Sequence, residues 1–151
     1  MLKEPSAPTE TAQTRPAYVL DEQVGFILRQ VYQRHAALFA ERFGDDVTPT
    51  QWAVIAKLAE VGDCSQNLLG RLTAMDVATI KGVVERLARR GLVETKPDVE
   101  DRRRLTLSLS AAGKDMFEAK AGIAAAISEE TLAPLAPADR EALLSLLHQL
   151  R

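Results

Sequence analysis

Three consecutive arginines, Arg102, Arg103 and Arg104, follow Asp101 near the middle of the chain. A guanidinium is permanently charged and donates hydrogen bonds from a planar fork, which suits a phosphate or a narrow minor groove of DNA. An isolated run of charges is more often a solvated surface. The elements on either side of the arginines therefore decide which interpretation applies.

The segment before them is predicted to be an amphipathic helix over residues 76–90. Asp76 is placed as its N-cap, and Gly91 as the residue that ends it. Four apolar residues repeat at helical spacing and would seat one face on a core: Ile80, Val83, Val84 and Leu87.

Small and polar side chains on the opposite face of this helix, near its start, can reach base edges in a major groove. They are Ala78, Thr79, Lys81 and Gly82. A helix-turn-helix reads DNA with the first turns of its second helix, where backbone amides also favour phosphate.

Two strands are predicted to flank the arginines, one over residues 92–96 and one over residues 105–109. In the second, Leu105, Leu107 and Leu109 alternate with Thr106 and Ser108, so the leucines are expected to face inward. Residues 97–100 form the turn that projects the arginines. This order of helix, strand, basic loop and strand is typical of a winged helix-turn-helix.

The expected fold is mainly α with a small β-hairpin, a winged helix-turn-helix with flanking N- and C-terminal dimerisation helices. Residues 1–19 are expected to form a flexible arm, since they are rich in proline and polar residues. Residues 20–151 form one domain, in which residues 48–110 are the DNA-binding lobe. Residues 20–44 and 111–151 supply the dimerisation helices.

Composition limits the remaining possibilities. The 151-residue chain is 46% hydrophobic, with a net charge of −2, so a basic overall balance is not what indicates DNA. No apolar run approaches a membrane span and the start is polar, so we expect a cytoplasmic protein with no membrane partner. One cysteine and two histidines predict no internal disulfide, no metal and no cofactor.

Partners are predicted from the helix faces. The last helix, about residues 138–150, carries more leucines than one buried side needs, which indicates a homodimer. A two-fold dimer would read double-stranded DNA at a palindromic operator.

A candidate ligand site lies on the first helix, where His35 is on the apolar stripe beside Arg29 and Tyr32. Together with Trp52 these residues could hold a small aromatic carboxylate.

Two segments give the chain a family resemblance. The passage over residues 83–93 reads Val-Val-Glu-Arg-Leu-Ala-Arg-Arg-Gly-Leu-Val, and the wing over residues 101–113 reads Asp-Arg-Arg-Arg-Leu-Thr-Leu-Ser-Leu-Ser-Ala-Ala-Gly. With the order of elements over residues 20–150, they resemble the MarR family of transcriptional regulators. In that family an Asp-x-Arg element of the wing orients an arginine for DNA, which corresponds to Asp101 and Arg103. The recognition-helix residues depart from the family pattern, so the operator sequence does not transfer.

The resemblance further implies a homodimeric repressor. Its DNA affinity would fall when a small aromatic effector binds where the dimerisation helices meet the DNA-binding lobe. A carboxylate, a phenol or a coenzyme A thioester is expected, because residues 23–35 are similar to the opening of members that govern the breakdown of aromatic acids.

Three other function classes are weighed against this one. A redox sensor would use Cys64, but that residue falls between the second and third helices rather than on the first. A winged helix used for protein contact rather than for DNA would be favoured if replacing Arg103 with alanine left DNA binding unchanged. An enzyme is disfavoured, because the sequence offers no pairing of nucleophile and base and no glycine-rich phosphate loop.

Overall fold

The structure is a computed structural model that describes residues 15–151. Six α-helices and three short strands follow one another in this range. The helices are α1 (Val24–Phe43), α2 (Pro49–Val61), α3 (Gln66–Leu72), α4 (Val77–Arg89), α5 (Ala111–Leu132) and α6 (Pro137–Gln149), and the strands are β1 (Cys64–Ser65), β2 (Val93–Pro97) and β3 (Leu105–Leu109). The predicted fold class is confirmed. Of the arm predicted over residues 1–19, residues 1–14 lie outside the described range.

The helix starts follow from side chains that cap free backbone amides. The Thr48 hydroxyl oxygen accepts a hydrogen bond from the Gln51 amide, and the Gln51 side-chain oxygen accepts one from the Thr48 amide, which together form a capping box. Ser65 caps α3, Asp76 caps α4 and Ser110 caps α5. Each cap is worth about 1 kcal/mol. Local sequence therefore sets where four of the helices begin.

The three strands form one antiparallel sheet in the order β1-β3-β2. Leu107 of β3 lies opposite Thr95 of β2 on one side and Cys64 of β1 on the other. The hairpin was predicted, but β1 was not. Two residues are too short a segment to show any alternation in sequence.

The prediction of which β3 side chains face inward is partly wrong. Leu107 and Leu109 are buried, but Leu105 is 49% exposed and Ser108 is only 6% exposed. The C-terminal half of β3 is the centre of the sheet and contacts α2, α3 and α5, so both of its faces are covered. Leu105 pairs with Pro97 at the loop end of the hairpin, where this cover ends.

The core lies beneath α4. All four residues of its predicted apolar face are buried, at 3% exposure or less: Ile80, Val83, Val84 and Leu87. They belong to one cluster with Ile55 of α2, Leu69 of α3 and Leu107 of β3. Each buried aliphatic side chain contributes about 1.5 to 3 kcal/mol. This packing fixes which face of α4 points outward.

One junction joins α4, the hairpin and α5. Gly91 has a φ of 72° and turns the chain out of α4. The Leu92 carbonyl then accepts from the Ser110 amide at 3.1 Å, and the Ser110 hydroxyl donates to the Gly91 carbonyl at 2.6 Å. The same Ser110 oxygen accepts from the Gly113 amide at 3.0 Å. The end of α4 and the start of α5 are thus held by a single serine.

None of the helices within residues 15–151 combines the length and the apolarity that crossing a bilayer requires.

The junction leads to a prediction at Gly113. A Cβ there would lie 2.1 Å from the Leu92 carbonyl oxygen, a backbone atom that cannot rotate away. Gly113→Ala should therefore lower the free energy of unfolding by about 3 kcal/mol. Gly122→Ala is the control, because Gly122 lies in the same helix with no atom within 4 Å of its added Cβ. Chemical denaturation checks both, and equal stability of the two variants would contradict the junction.

Candidate functional site

The residues predicted to contact bases lie on the outer face of α4, and all but one of them are exposed. Ala78, Thr79 and Lys81 are exposed. Gly82 is half-buried, because the Arg86 guanidinium lies over it, 3.6 Å from the position of an added Cβ. Arg86 therefore adds a positive charge to this face that was not predicted. Its spacing of four residues from Gly82 is the signal that could have identified it.

The start of α4 is already occupied by a carboxylate. Asp76 Oδ1 accepts from the Thr79 amide at 2.7 Å, and this hydrogen bond lowers the pKa of Asp76. The anion at this helix end belongs to the protein, so the expected phosphate contact at the amides of α4 is disfavoured. Exposed basic side chains lie elsewhere on the lobe, on α3 and on the wing.

Asp98 holds the loop of the wing, the segment between β2 and β3. Its Oδ1 accepts from the amides of Glu100 and Asp101 at 2.8 and 3.2 Å, and its Oδ2 accepts from the Thr106 hydroxyl at 3.3 Å. The two backbone hydrogen bonds are the main reason why the pKa of Asp98 is lowered. Sequence reasoning found the turn but not this role, although aspartate after proline is a typical turn residue.

Asp101 acts on the arginine run at two points. Its Oδ1 accepts from the backbone amide of Arg103 at 3.0 Å, and its Oδ2 lies 3.8 Å from Arg104 Nε. The carboxylate thus contacts the backbone of Arg103 and the side chain of Arg104, rather than the Arg103 guanidinium. Arg102, Arg103 and Arg104 are all exposed.

A groove of about 450 Å³ separates the wing from α3, and we call it the wing groove. It brings Arg103 and Arg104 together with Arg71 of α3, which was not predicted because α3 is too short to show a clear outer face. Arg102 is not in its lining. Gln66 and Leu105 line both this groove and a second one, of about 500 Å³, that runs along α4 past Lys81. The wing and α4 therefore border one continuous surface.

An aromatic cluster lies on the other side of the core. The Trp52 ring is half-buried between Phe43 and Phe117, with centroids 5.2 and 5.7 Å away. Beside it is a cavity of about 280 Å³ between α1, α2 and α5, lined by His35, Phe39, Trp52, Ala124, Ala125, Ile127 and Ser128. The structure thus brings together the predicted ligand residues His35 and Trp52. Phe39 was missed in this role, although it lies one helical turn after His35.

His35 is oriented by α5. Its Nδ1 lies 2.9 Å from the Thr131 hydroxyl, which itself donates to the Ile127 carbonyl at 2.8 Å. Because that hydroxyl has one proton, Nδ1 of His35 is the donor, and Nε2 remains available in the described part of the chain. The Tyr32 ring lies 6.2 Å from the His35 ring but is exposed. Arg29 is exposed and does not line the cavity.

Cys64 is buried in β1. Burial is the main cause that raises the pKa of its thiol, and the charge of Asp63 adds to the shift. A raised pKa leaves little reactive thiolate, which speaks against the redox-sensing alternative. Among residues 15–151, no cluster of three or more histidine, cysteine or carboxylate side chains could hold a metal ion.

Comparison with known proteins gives this arrangement a context. The model of the MarR family matches residues 45–104, from the loop after α1 to the end of the wing loop. The HTH-type transcriptional repressor NicR of Pseudomonas putida is 37% identical over 146 residues, which cover 96% of this chain and 92% of NicR. The chain belongs to the MarR family. It is a transcriptional regulator.

Solved structures agree with this assignment to the MarR family. A probable transcriptional regulator from Pseudomonas aeruginosa is 55% identical with a TM-score of 0.85, covering 88% of this chain and all (100%) of that one. BpsR of Bordetella bronchiseptica is 36% identical with a TM-score of 0.86, covering 89% and 97%. The DNA binding of BpsR is regulated by 6-hydroxynicotinic acid.

The contacts of Asp98 predict how the wing loosens. Asp98→Ala removes the acceptor for the amides of Glu100 and Asp101, so hydrogen exchange at these amides should accelerate by at least about tenfold. Asp98→Asn keeps one acceptor oxygen and should retain most of the protection. Glu100→Ala, which removes an equal charge from an exposed neighbour, is the control. Unchanged exchange in Asp98→Ala would rule out the anchoring role.

The same wing should show a defined response to acid. The pKa of Asp98 is lowered in the folded protein, so its contribution is fully present above the unfolded value of about 3.9. It is lost as the pH falls through the lower folded value. Amide protection in the wing should therefore persist through neutral and mildly acidic pH. Loss of protection near pH 6 would contradict this assignment.

Proposed function

We propose that this protein is a homodimeric repressor that binds a palindromic operator and is released from it by a small aromatic acid. The main support for DNA binding is that three elements of the lobe share one surface. The exposed start of α4, the side of α3 and the arginines of the wing border connected grooves. A duplex can contact all three elements at once.

The geometry supports a division of tasks between these elements. A major groove admits one helix, and the exposed Ala78, Thr79 and Lys81 of α4 are small enough or long enough to approach base edges. Of the exposed wing arginines, Arg102 lies outside the wing groove, where an adjacent minor groove would accept its guanidinium, whereas Arg103 lines the wing groove. Asp98 and Asp101 hold the loop in shape, so these arginines lose less freedom when they bind.

A second copy of the chain is the partner that the terminal helices support. α6 has no buried residue, although it carries four leucines, Leu143, Leu144, Leu146 and Leu147, and is followed by the exposed Leu150. The first half of α1 is equally uncovered, with Val24, Ile27 and Val31 at 65, 42 and 49% exposure. Apolar faces of this extent favour burial against an identical partner. Two-fold symmetry would then present two copies of α4 to two half-sites.

The cavity between α1, α2 and α5 is the proposed effector site. Phe39 and Trp52 supply flat apolar walls, and His35 Nε2, an acceptor while Nδ1 carries the proton, can accept a hydrogen bond from a hydroxyl group of the ligand. Its volume of about 280 Å³ suits a single ring. NicR and BpsR are similar over nearly the whole chain, so a hydroxylated aromatic or N-heteroaromatic acid is the proposed class.

A contact between α2 and α4 relates this cavity to the DNA-binding surface. Trp52 lines the cavity, and the preceding residue, Gln51, lies with its Oε1 3.3 Å from Arg90 Nη1. The same Arg90 nitrogen donates to the Asp46 carbonyl at 2.6 Å, at the end of α4. A ligand that fits one placement of α2 better than another would shift α4 with it. Operator affinity then falls by the difference in ligand affinity between the two states.

DNA binding is tested by fluorescence anisotropy with DNA from the region upstream of the protein's own coding sequence. Arg103→Ala should weaken operator binding by about 1 to 3 kcal/mol, because it removes a guanidinium from the wing. Lys114→Ala, which removes an exposed positive charge of α5, is the control and should have little effect. An affinity for this DNA no higher than for random DNA would instead favour the protein-contact function.

Effector release is tested on the same complex with 6-hydroxynicotinic acid and a panel of benzoic acids, phenols and their coenzyme A thioesters. One small acid should dissociate the complex, and His35→Ala should raise the concentration required by at least about tenfold. His148→Ala removes the other histidine, which is exposed in α6, and should not change the response. Release that is equally efficient in both variants would place the effector elsewhere.

A further inference from the structure

The wing groove has a chemistry that the recognition helix lacks. Its lining brings three guanidinium groups, those of Arg71, Arg103 and Arg104, to one open cleft beside the side-chain amides of Gln66 and Asn67. No acidic side chain is part of that lining. All five side chains can donate hydrogen bonds to an anion with several acceptor oxygens.

The charges of this groove are largely uncompensated. Arg104 is 3.8 Å from Asp101, whereas neither Arg71 nor Arg103 has an ion pair with any residue in the range 15–151. Like charges that share a cleft repel one another, and a bound anion relieves that repulsion. Three exposed guanidinium groups that line one groove therefore attract a negatively charged group more strongly than a single exposed arginine does.

We propose that the wing groove binds a phosphodiester of the DNA backbone, and that Arg71 of α3 is its principal ligand together with Arg103 of the wing. The proposal rests on the DNA-binding function above and names a contact within it. Arg71 thus positions the duplex without reading its sequence, because a phosphate is the same in every nucleotide.

The position of Arg71 explains why this contact would matter. Asn67 and Arg71 are one helical turn apart on α3, and both line the wing groove. Both also line a further groove of about 420 Å³ at the start of α4, beside Asp76 and Val77. Arg71 therefore lies between the two elements proposed to read bases. A strand that runs from the start of α4 to the wing along these two grooves would pass Arg71.

The start of α4 does not offer an equivalent site. Its Thr79 amide is taken by the Asp76 carboxylate, which would also repel a phosphate at close range. Apart from Lys81 and Arg86 on α4 itself, the basic side chains that border this surface on the neighbouring elements belong to α3 and the wing. This is the reason for assigning the backbone contact to Arg71 rather than to the amides of α4.

The test measures the salt dependence of binding. Dissociation constants for the operator and for a random duplex are determined across a series of sodium chloride concentrations. Loss of one phosphate contact should reduce the slope of log K against log salt by about one. Arg71→Ala should show this reduction and should weaken binding to both duplexes by a similar factor, roughly tenfold. Arg71→Lys, which keeps the charge, should restore most of the slope.

Lys114→Ala is the matched control, since it removes one exposed positive charge from a groove lined by α5 and α2 on another part of the molecule. Its slope should equal that of the unmodified protein. An unchanged slope in Arg71→Ala would overturn the phosphate site alone. A loss confined to the operator would also overturn it, by making Arg71 a reader of bases. Failure of the unmodified protein to bind either duplex would overturn the DNA-binding function itself.

Discussion

The hydrogen bonds of Ser110 to the end of α4 are the constraint on which the rest of the structure depends. One serine accepts from the amide that begins α5, donates to the Gly91 carbonyl and offers its own amide to Leu92. Gly113 has no side chain at the point where the Leu92 carbonyl meets α5. The recognition helix, both strands of the hairpin and the long helix α5 therefore share one fixed point.

Through this fixed point, α4 and the hairpin are joined directly to the start of α5. α4 cannot rotate about its axis without exposing its buried apolar face, and the wing cannot move independently of β3, which runs directly into Ser110. The cavity lined by His35 and Trp52 lies beside residues 124–128 of α5, C-terminal to this junction. A change in how α5 packs against α1 and α2 would therefore be felt at the end of α4 through this junction.

The sequence predicted what local chemistry determines. The cap at Asp76 and the stop at Gly91 each depend on neighbouring residues, and both are confirmed; Thr48, Ser65 and Ser110 cap their helices by the same local chemistry. The buried face of α4 followed from its spacing. The wrong or missing predictions depend on tertiary contacts: β1 exists because β3 is there to pair with it, and Ser108 is buried because helices cover the sheet.

The residues of the candidate site also differ in whether local sequence or tertiary contacts determine their position. His35 and Trp52 were predicted and are brought together, whereas Arg29 on the same helix lies outside the cavity because it points to a different side. Arg71 could not be identified from sequence, since its importance comes from facing a wing that lies more than thirty residues later. Asp98 belongs to a recognisable turn, but its hold on Thr106 depends on the hairpin register.

Hydroxyl-radical footprinting of the protein on its operator tests most directly whether two copies of this lobe read DNA together. Two protected regions should appear, related by two-fold symmetry and spaced about one helical turn apart, 10 to 10.5 base pairs between centres. Protection of the flanking minor grooves would mark the two wings. A single protected region without a symmetric counterpart would contradict the dimeric DNA-binding account, and the absence of any protection would contradict DNA binding through this surface.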